Sequence, residues 1–480
     1  MKNLKMFING KFVENVSDKW INVLNPSTEE VISLMPDGTA GDVKVAIDAA
    51  EKAQPAWEKI PAVERAKYLR IIANGIRKRE AELTDIIVRE GGKTQALANV
   101  EVLFTADYLD YMAEWARRYE GEIIQSDRPK ENIFLFKKPI GVTTGILPWN
   151  FPFFLIARKA APALVTGNTI VIKPSQLTPE NAYVFAQVVE ESGLPAGVFN
   201  IVFGKGSVVG HELAANPKVG MVSLTGSVDA GRQTMAAACT NITKVSLELG
   251  GKDPAIVMND ADIDLAVKCI IASRVINTGQ VCNCCERVYV HKDVKDEFQK
   301  KVIEGMKKVT FGDPSKIKEL DMGPLIDANS LKSVQDKVDK AVKQGAKIAC
   351  GGKKKDEKGY FFEPTVLTDV THDMDIAHEE TFGPVLPIIE FTDLDKAIEW
   401  ANDCEYGLTS SVYTKNLNTA LKLVRALKFG ETYVNRENFE AMQGFMPDGV
   451  NRVLVVLMVN TAWKSICKLM LFILKHKING

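Results

Sequence analysis

The chain has 480 residues, too many for one compact core, so two or three domains are expected. With 46% hydrophobic and 25% charged residues and a formal net charge of −1, it carries no field that would gather nucleic acid or anionic lipid, which leaves small-molecule chemistry. The N-terminus turns polar too soon for a signal peptide, no run reaches the roughly 18 apolar residues of a membrane span, and the 8 cysteines are scattered, so a reducing, cytoplasmic setting is expected.

Apolar residues at helical spacing predict helices over 45–54, 63–79 and 80–89. The segment 120–138, between helical and sheet-like patterns, is expected as a projecting hairpin. Strands follow at 141–147, 169–173 and 198–203, separated by helices over 154–166 and 179–192. Short β-branched runs alternating with helices predict βαβ units on a parallel sheet, an α/β fold. A second α/β stretch opens near Gly250 and includes a strand at 286–290 and helices over 294–309 and 329–344. There are no internal repeats and no low-complexity linker, so interleaved domains are expected.

Cys282 closes the run Gly279-Gln-Val-Cys at the end of a helical pattern from Asp262 to Asn277. A cysteine leaving a helix into a turn is either a partly exposed nucleophile or a buried structural residue. Cys282 and Cys285 also have the C-x-x-C spacing of redox and zinc sites, but the chain, with only 5 histidines, offers no second ligand pair, and no metal is expected. Glu248 lies in a β-like run ending at paired glycines, where a carboxylate is paired, exposed on an edge, or tuned for acid–base work. Two prolines bracket Asn150 in Pro148-Trp-Asn-Phe-Pro152, a stiff turn that is either a plain connection or an amide held as an oxyanion donor. Two glycine patterns, Gly204-Lys-Gly206-Ser-Val-Val-Gly210 and Gly226-Ser-Val-Asp-Ala-Gly231, each follow a strand-like run and compete for a phosphate.

These pieces together resemble the aldehyde dehydrogenase superfamily from about residue 5 to Phe445. The collinear matches are PWNFP at 148–152, KPS at 173–175, TGS at 225–227, LELGGK at 247–252, GQVC at 279–282 and EETFGP at 379–384. The segment RENFEAMQGF at 436–445 is most similar to the lactaldehyde and glycolaldehyde dehydrogenase branch. The resemblance implies a Rossmann-type dinucleotide-binding domain over 1–120 and 140–247, an oligomerisation hairpin at 121–139 and a catalytic domain over 248–445. It implies a homo-oligomer, dimer or tetramer, acting on a small-molecule aldehyde.

The resemblance also implies roles. Cys282 attacks the aldehyde as a thiolate. Asn150 and the Cys282 backbone N–H hold the oxyanion, worth roughly 3–4 kcal/mol per donor in comparable sites. Glu248 activates water to hydrolyse the thioester, which favours a free acid over coenzyme A acylation. Lys173, Pro174, Ser175 and Gln176 fall at the adenosine ribose, Trp149, Gly226, Ser227 and Gly231 at the pyrophosphate, and Glu380 and Phe382 at the nicotinamide. Relatives preferring NAD often carry Glu where this chain has Gln176, an amide that would not repel a 2′-phosphate, so NAD with measurable NADP use is expected. Arg158 falls in the substrate tunnel, where relatives acting on aliphatic aldehydes carry an aromatic residue. With Glu440 it implies a hydroxylated aldehyde, against the plainer reading of a surface Arg on a helix. A semialdehyde bound through Arg158 is the alternative.

After Phe445 the match stops. Relatives continue with a G-W-x-K-S-G-x-G-G segment and a closing strand, whereas residues 446–480 are basic and apolar with no acidic residue after Asp448. Codons chosen for Met446 onward, read one base back, yield HAGWRKSGIGGADGKHGLE, a family-like tail with His in place of Met446. A base lost near codon 445 is therefore expected. The altered tail is expected to leave an unpaired sheet edge, to add an aggregation hazard and to impair assembly and activity.

Overall fold

The computed structural model describes residues 2–443 and the backbone of one further strand, Cys467–Lys475. The rest of the 446–480 tail, Met446 among it, lies outside the described residues.

The first seven-stranded sheet places Lys244–Glu248, Val219–Thr225, Val142–Ile146, Thr169–Lys173 and Phe199–Ile201 side by side in parallel, and Met6–Ile8 and Lys11–Val13 extend it antiparallel. Val142–Ile146, Thr169–Lys173 and Phe199–Ile201 run outward in one direction, and the chain then returns to place Val219–Thr225 on the other side of Val142–Ile146. That reversal opens a crevice at the carboxyl ends of the two central strands, where ligands bind in open α/β sheets. Val142–Ile146 and Thr169–Lys173 are buried at every position, because helices cover both faces. One cover helix, Pro152–Val165, is buried along its whole length although it carries Arg158 and Lys159.

The second seven-stranded sheet runs Lys347–Cys350, Thr365–Val370, Val385–Phe391, Arg287–His291, Pro254–Val257, Thr409–Tyr413, Glu431–Val434, all parallel except the first pair. Side chains alternate across it with a period of two: Ile256 and Tyr289 enter one apolar cluster, while Ala255, Val257, Val288 and Val290 enter the other.

The segment 120–138 forms the strands Glu122–Gln125 and Glu131–Pro139, paired antiparallel. The expected open edge is corrected: Cys467–Lys475 pairs antiparallel along Glu131–Pro139, with Leu471 opposite Leu135. Ladder bonds are made by backbone groups, so a tail of different sequence supplies them provided it is rich in β-formers, as this one is. The helix expected through Asn277 ends at Val275. The N-terminal three-stranded sheet of Lys2–Asn3, Val31–Pro36 and Trp20–Leu24, and the 20-residue helix Gln95–Glu114, had no counterpart in the sequence reading. Among the described residues, no helix is long and apolar enough to cross a membrane.

Candidate active site

After Val275 the chain takes a short 3₁₀ turn in which Asn277, Thr278 and Gly279 all adopt left-handed φ values of 48°, 61° and 75°. Two consecutive non-glycine residues in that region are strained and persist only where their surroundings hold them. Here the Asn277 amide donates to the Asn150 carbonyl (3.3 Å) and the Thr278 hydroxyl to the Gly323 carbonyl (2.9 Å). The turn delivers Cys282 half-buried, while Cys284 and Cys285 are fully buried. Burial pushes the Cys282 thiol well above its ordinary range, and the Asp253, Glu248 and Glu380 carboxylates push it further. The Cys285 thiol donates to the Arg287 carbonyl and packs in the apolar core.

Glu248 ends the edge strand of the first sheet, yet is buried and paired. Arg158 donates to it from Nε at 3.2 Å, Lys159 Nζ lies 3.2 Å from the same oxygen, and the Thr225 hydroxyl donates to the other at 2.8 Å. Burial alone would raise the Glu248 carboxyl, but the two cations and the Thr225 bond outweigh it and bring it down to about 2. Arg158 is 3% exposed, which corrects the surface reading. Its Nη1 donates to both oxygens of Glu440, at 2.9 and 2.8 Å, and among the described residues its buried Nη2 has no hydrogen-bond partner.

Asn150 is held from both sides. Its carbonyl accepts from Lys93 (2.7 Å), and its side-chain amide donates to the Gln280 carbonyl at 3.1 Å. Lys93 in turn pairs with buried Glu101, which caps the helix Pro152–Val165 by accepting from the backbone N–H groups of Phe153 and Phe154.

Two cavities meet at these residues. One, of about 350 Å³, is lined by Phe104, Phe154, Arg158, Asn283, Glu440 and neighbours. The other, of about 620 Å³, is lined by Trp149, Lys173, Ser175, Gln176, Gly206, Gly226, Ser227, Glu380 and Phe382. Asn150, Thr225, Glu248, Leu249 and Cys282 belong to both. The larger cavity occupies the crevice at the strand reversal. Of the two competing glycine patterns both reach it, through Gly206 and through Gly226-Ser227. Pro174 and Gly231 do not line it. The Pro174 carbonyl accepts from Lys173 Nζ, and Gly231 lets Leu249 close on the helix Val228–Cys239, where a Cβ would stand 2.8 Å from the leucine.

The larger cavity fits a dinucleotide. The helix Val228–Cys239 begins there, capped by Ser227, and presents its N-terminal N–H groups. Gly206 faces open space, with nothing within 4 Å of where its Cβ would be. Lys173 is a buried cation whose one hydrogen-bond partner among the described residues is the Pro174 carbonyl, its pKa brought down to about 8 by burial. Glu380, raised to about 7 by burial and by Glu286, accepts from the Gly251 N–H.

Sequence reasoning missed Lys159, Thr225, Lys93 and Glu101. Lys159 was within reach of it: two adjacent cations in an otherwise apolar helix must find buried partners. It also missed a cluster of His372, His378 and Asp403, whose ligand atoms lie within 4.8 Å of one another. Both ring nitrogens of His378 there face carbonyl oxygens, of Asp403 (3.0 Å) and His372 (2.6 Å).

A doubly wound sheet with a dinucleotide-sized cavity, opening onto a thiol and a carboxylate, defines a dinucleotide-dependent oxidoreductase. The model of the Aldehyde dehydrogenase family matches residues 12–452, and the chain belongs to that family. It is an NAD(P)-dependent aldehyde dehydrogenase. It is 65% identical over 440 residues to a lactaldehyde dehydrogenase of Escherichia coli (strain K12), covering 92% of each chain. It is 42% identical over 449 residues to a 3,6-anhydro-alpha-L-galactose dehydrogenase of Vibrio sp. (strain EJY3), covering 93% of each. The crystal structure of the lactaldehyde dehydrogenase from Escherichia coli superposes with a TM-score of 0.98 at 60% identity, over 99% of this chain and 100% of that one.

Proposed function

We propose that the protein oxidises a small hydroxylated aldehyde, of the lactaldehyde or glycolaldehyde type, through a thioester on Cys282. The observation that carries this reading is the shared wall: Cys282, Glu248 and Asn150 border both cavities, so aldehyde and dinucleotide can meet at one sulfur. Cys282 gives its proton to solvent water and its sulfur bonds to the aldehyde carbon, while the Asn150 amide and the Cys282 N–H stabilise the oxyanion. A nicotinamide dinucleotide bound in the larger cavity supplies the acceptor for the hydride that leaves this carbon. Glu248 then takes a proton from water, and the resulting hydroxide attacks the thioester carbon. Collapse breaks the carbon–sulfur bond and frees the acid, and the sulfur takes the proton held by Glu248 to return as the thiol.

Specificity rests on Arg158. The charges of Arg158 and Lys159 are already balanced by Glu248 and Glu440, so a substrate carboxylate would meet a site without excess positive charge. Arg158, which lines the smaller cavity with its charge already balanced, instead suits a neutral oxygen. That supports a hydroxyl over a semialdehyde carboxylate. Lys173, Ser175 and Gln176 would hold the adenosine ribose, with NAD preferred and NADP still used.

We further assign residues 1–120 and 140–247 to a dinucleotide-binding domain, 121–139 to an oligomerisation hairpin and 248–445 to the catalytic domain. The protein is expected to work in the cytoplasm as a homo-oligomer. Incubation with aldehyde and NAD, acid quenching and peptide mass spectrometry test the central claim. An acyl adduct on the Cys282 peptide, lost in Cys282→Ser together with turnover, is expected. Undiminished NAD reduction by Cys282→Ser would overturn it.

A further inference from the structure

Glu286 lies four residues beyond Cys282 and is 1% exposed. Its Oε2 accepts from Lys252 Nζ (2.8 Å) and the Thr381 backbone N–H (2.8 Å); its Oε1 accepts from Arg274 Nη1 (2.8 Å) and the Phe382 N–H (3.1 Å). Burial raises the carboxyl, but Lys252 and Arg274 outweigh it and hold it at about 2, ionised at neutral pH.

The two sides of this carboxylate lead to different walls of the site. Arg274 also donates to the Cys285 carbonyl (2.8 Å), the Gly279 carbonyl and the Cys284 sulfur (3.0 Å), so one guanidinium grips the loop of Cys282 on both sides of the sulfur. Thr381 and Phe382 line the larger cavity, and the Phe382 ring meets Trp149 edge-on at 5.6 Å. Phe382 has a φ of 53°, which a bulky residue rarely adopts without support, and the Glu286 bond to its N–H provides that support. Lys252 reinforces the link through the Thr381 hydroxyl at 3.3 Å.

We propose that Glu286 is a positioning residue, tying the loop that carries Cys282 to the Thr381–Phe382 wall of the dinucleotide cavity so that sulfur and dinucleotide keep one register. The proposal rests on the reading of Cys282 as nucleophile. A glutamine at 286 keeps the shape but replaces one acceptor oxygen with a donor, so at least one of the two backbone N–H groups loses its partner.

The test uses the full chain as Glu286→Gln, Glu286→Asp and, as a control away from both cavities, Val302→Ala in the helix Lys295–Met306. NADH affinity by fluorescence titration and the rate of Cys282 alkylation by iodoacetamide, with and without NADH, are read beside thermal unfolding. Glu286→Gln is expected to weaken NADH binding about tenfold, the equivalent of one charge-assisted bond. It is also expected to uncouple alkylation from NADH, and Glu286→Asp to recover part of both. Val302→Ala lowers the unfolding temperature and changes neither readout. Should Glu286→Gln fail to fold, the same two readouts on Glu286→Asp decide, with partial loss expected. Wild-type NADH affinity and wild-type alkylation response in a folded Glu286 variant would overturn the proposal. Failure of the underlying reading shows separately, as wild-type protein alkylated at Cys282 with undiminished turnover.

Discussion

Arg158 joins Glu248 at 3.2 Å and so sets the charge state of the carboxylate proposed as the base. The groups facing Glu248 are Arg158 and Lys159 from the helix Pro152–Val165, the Thr225 hydroxyl and the Cys282 thiol, with Tyr108 and Glu440 beyond Arg158. With its pKa near 2, Glu248 stays ionised throughout the neutral range and contributes no acid limb there. In Arg158→Leu the burial contribution gains weight and the pKa rises. The ionised base is then lost as pH falls through that higher value. Single-turnover thioester hydrolysis, followed against pH with a plain aliphatic aldehyde, should show a new acid limb. An unchanged profile would mean that Arg158 does not tune the base.

Arg158 in the wall of the smaller cavity should make the enzyme favour lactaldehyde over propanal in kcat/KM by roughly 10- to 100-fold, the range for one hydrogen bond to a charged group. Glu440→Ala should shrink that ratio by releasing Arg158 from its fixed position. Equal turnover of the two aldehydes, or a marked preference for succinate semialdehyde, would contradict the proposed substrate class.

Gln176 lines the dinucleotide cavity without a charge. Gln176→Glu should lower NADP use roughly tenfold through repulsion of the 2′-phosphate and leave NAD use nearly unchanged. Steady-state kinetics with both dinucleotides measure this. If the parent already discriminates against NADP by more than about a thousandfold, roughly 4 kcal/mol, the side chain does not have the permissive role given to it.

Lys93 bonds both to Glu101 and to the Asn150 carbonyl. Lys93→Met leaves Glu101 buried without its cation and should cost about 3–5 kcal/mol of stability. Thermal unfolding reads that loss, and a fall in kcat at temperatures where the variant is folded reads the loosening of Asn150. A variant as stable and as fast as the parent would remove Lys93 from this account.

Restoring the alternative frame after Phe445 tests the tail. The frame-restored protein should assemble more completely and turn over faster, because the present run of Val, Leu, Ile and Met lacks acidic residues that oppose aggregation. Sedimentation and activity measured on both forms decide it, and equal assembly with equal turnover would refute it. An open edge is not the reason, since Glu131–Pro139 is paired with Cys467–Lys475.

Much of the first sheet was legible from local pattern. Thr169–Lys173 coincides with its predicted bounds, the helix Ala62–Lys78 differs from its own by one residue at each end, and Ala328–Gln344 by one residue at its start. These segments announce themselves because burial on one face or both imposes a period on the residues themselves. The N-terminal strands are short and half-exposed, with little periodicity to read. Gln95–Glu114 has apolar residues on most sides, so no single face marked it as a helix.

Cys282, Glu248, Asn150 and Arg158 could be singled out as candidates through the collinear motifs of the family resemblance, since each local context by itself left a structural reading open. Which of them share a cavity, and which cations hold Glu248 ionised, was decided only by the tertiary structure. Arg158 and Glu440 are 282 positions apart, and Lys93 lies 57 positions from Asn150. Contacts at such range arise from the packing of the Pro152–Val165 helix against the first sheet and the Cys282 loop, and no local pattern encodes them. A side chain's reactivity follows from its type, but its charge state follows from what the fold buries beside it.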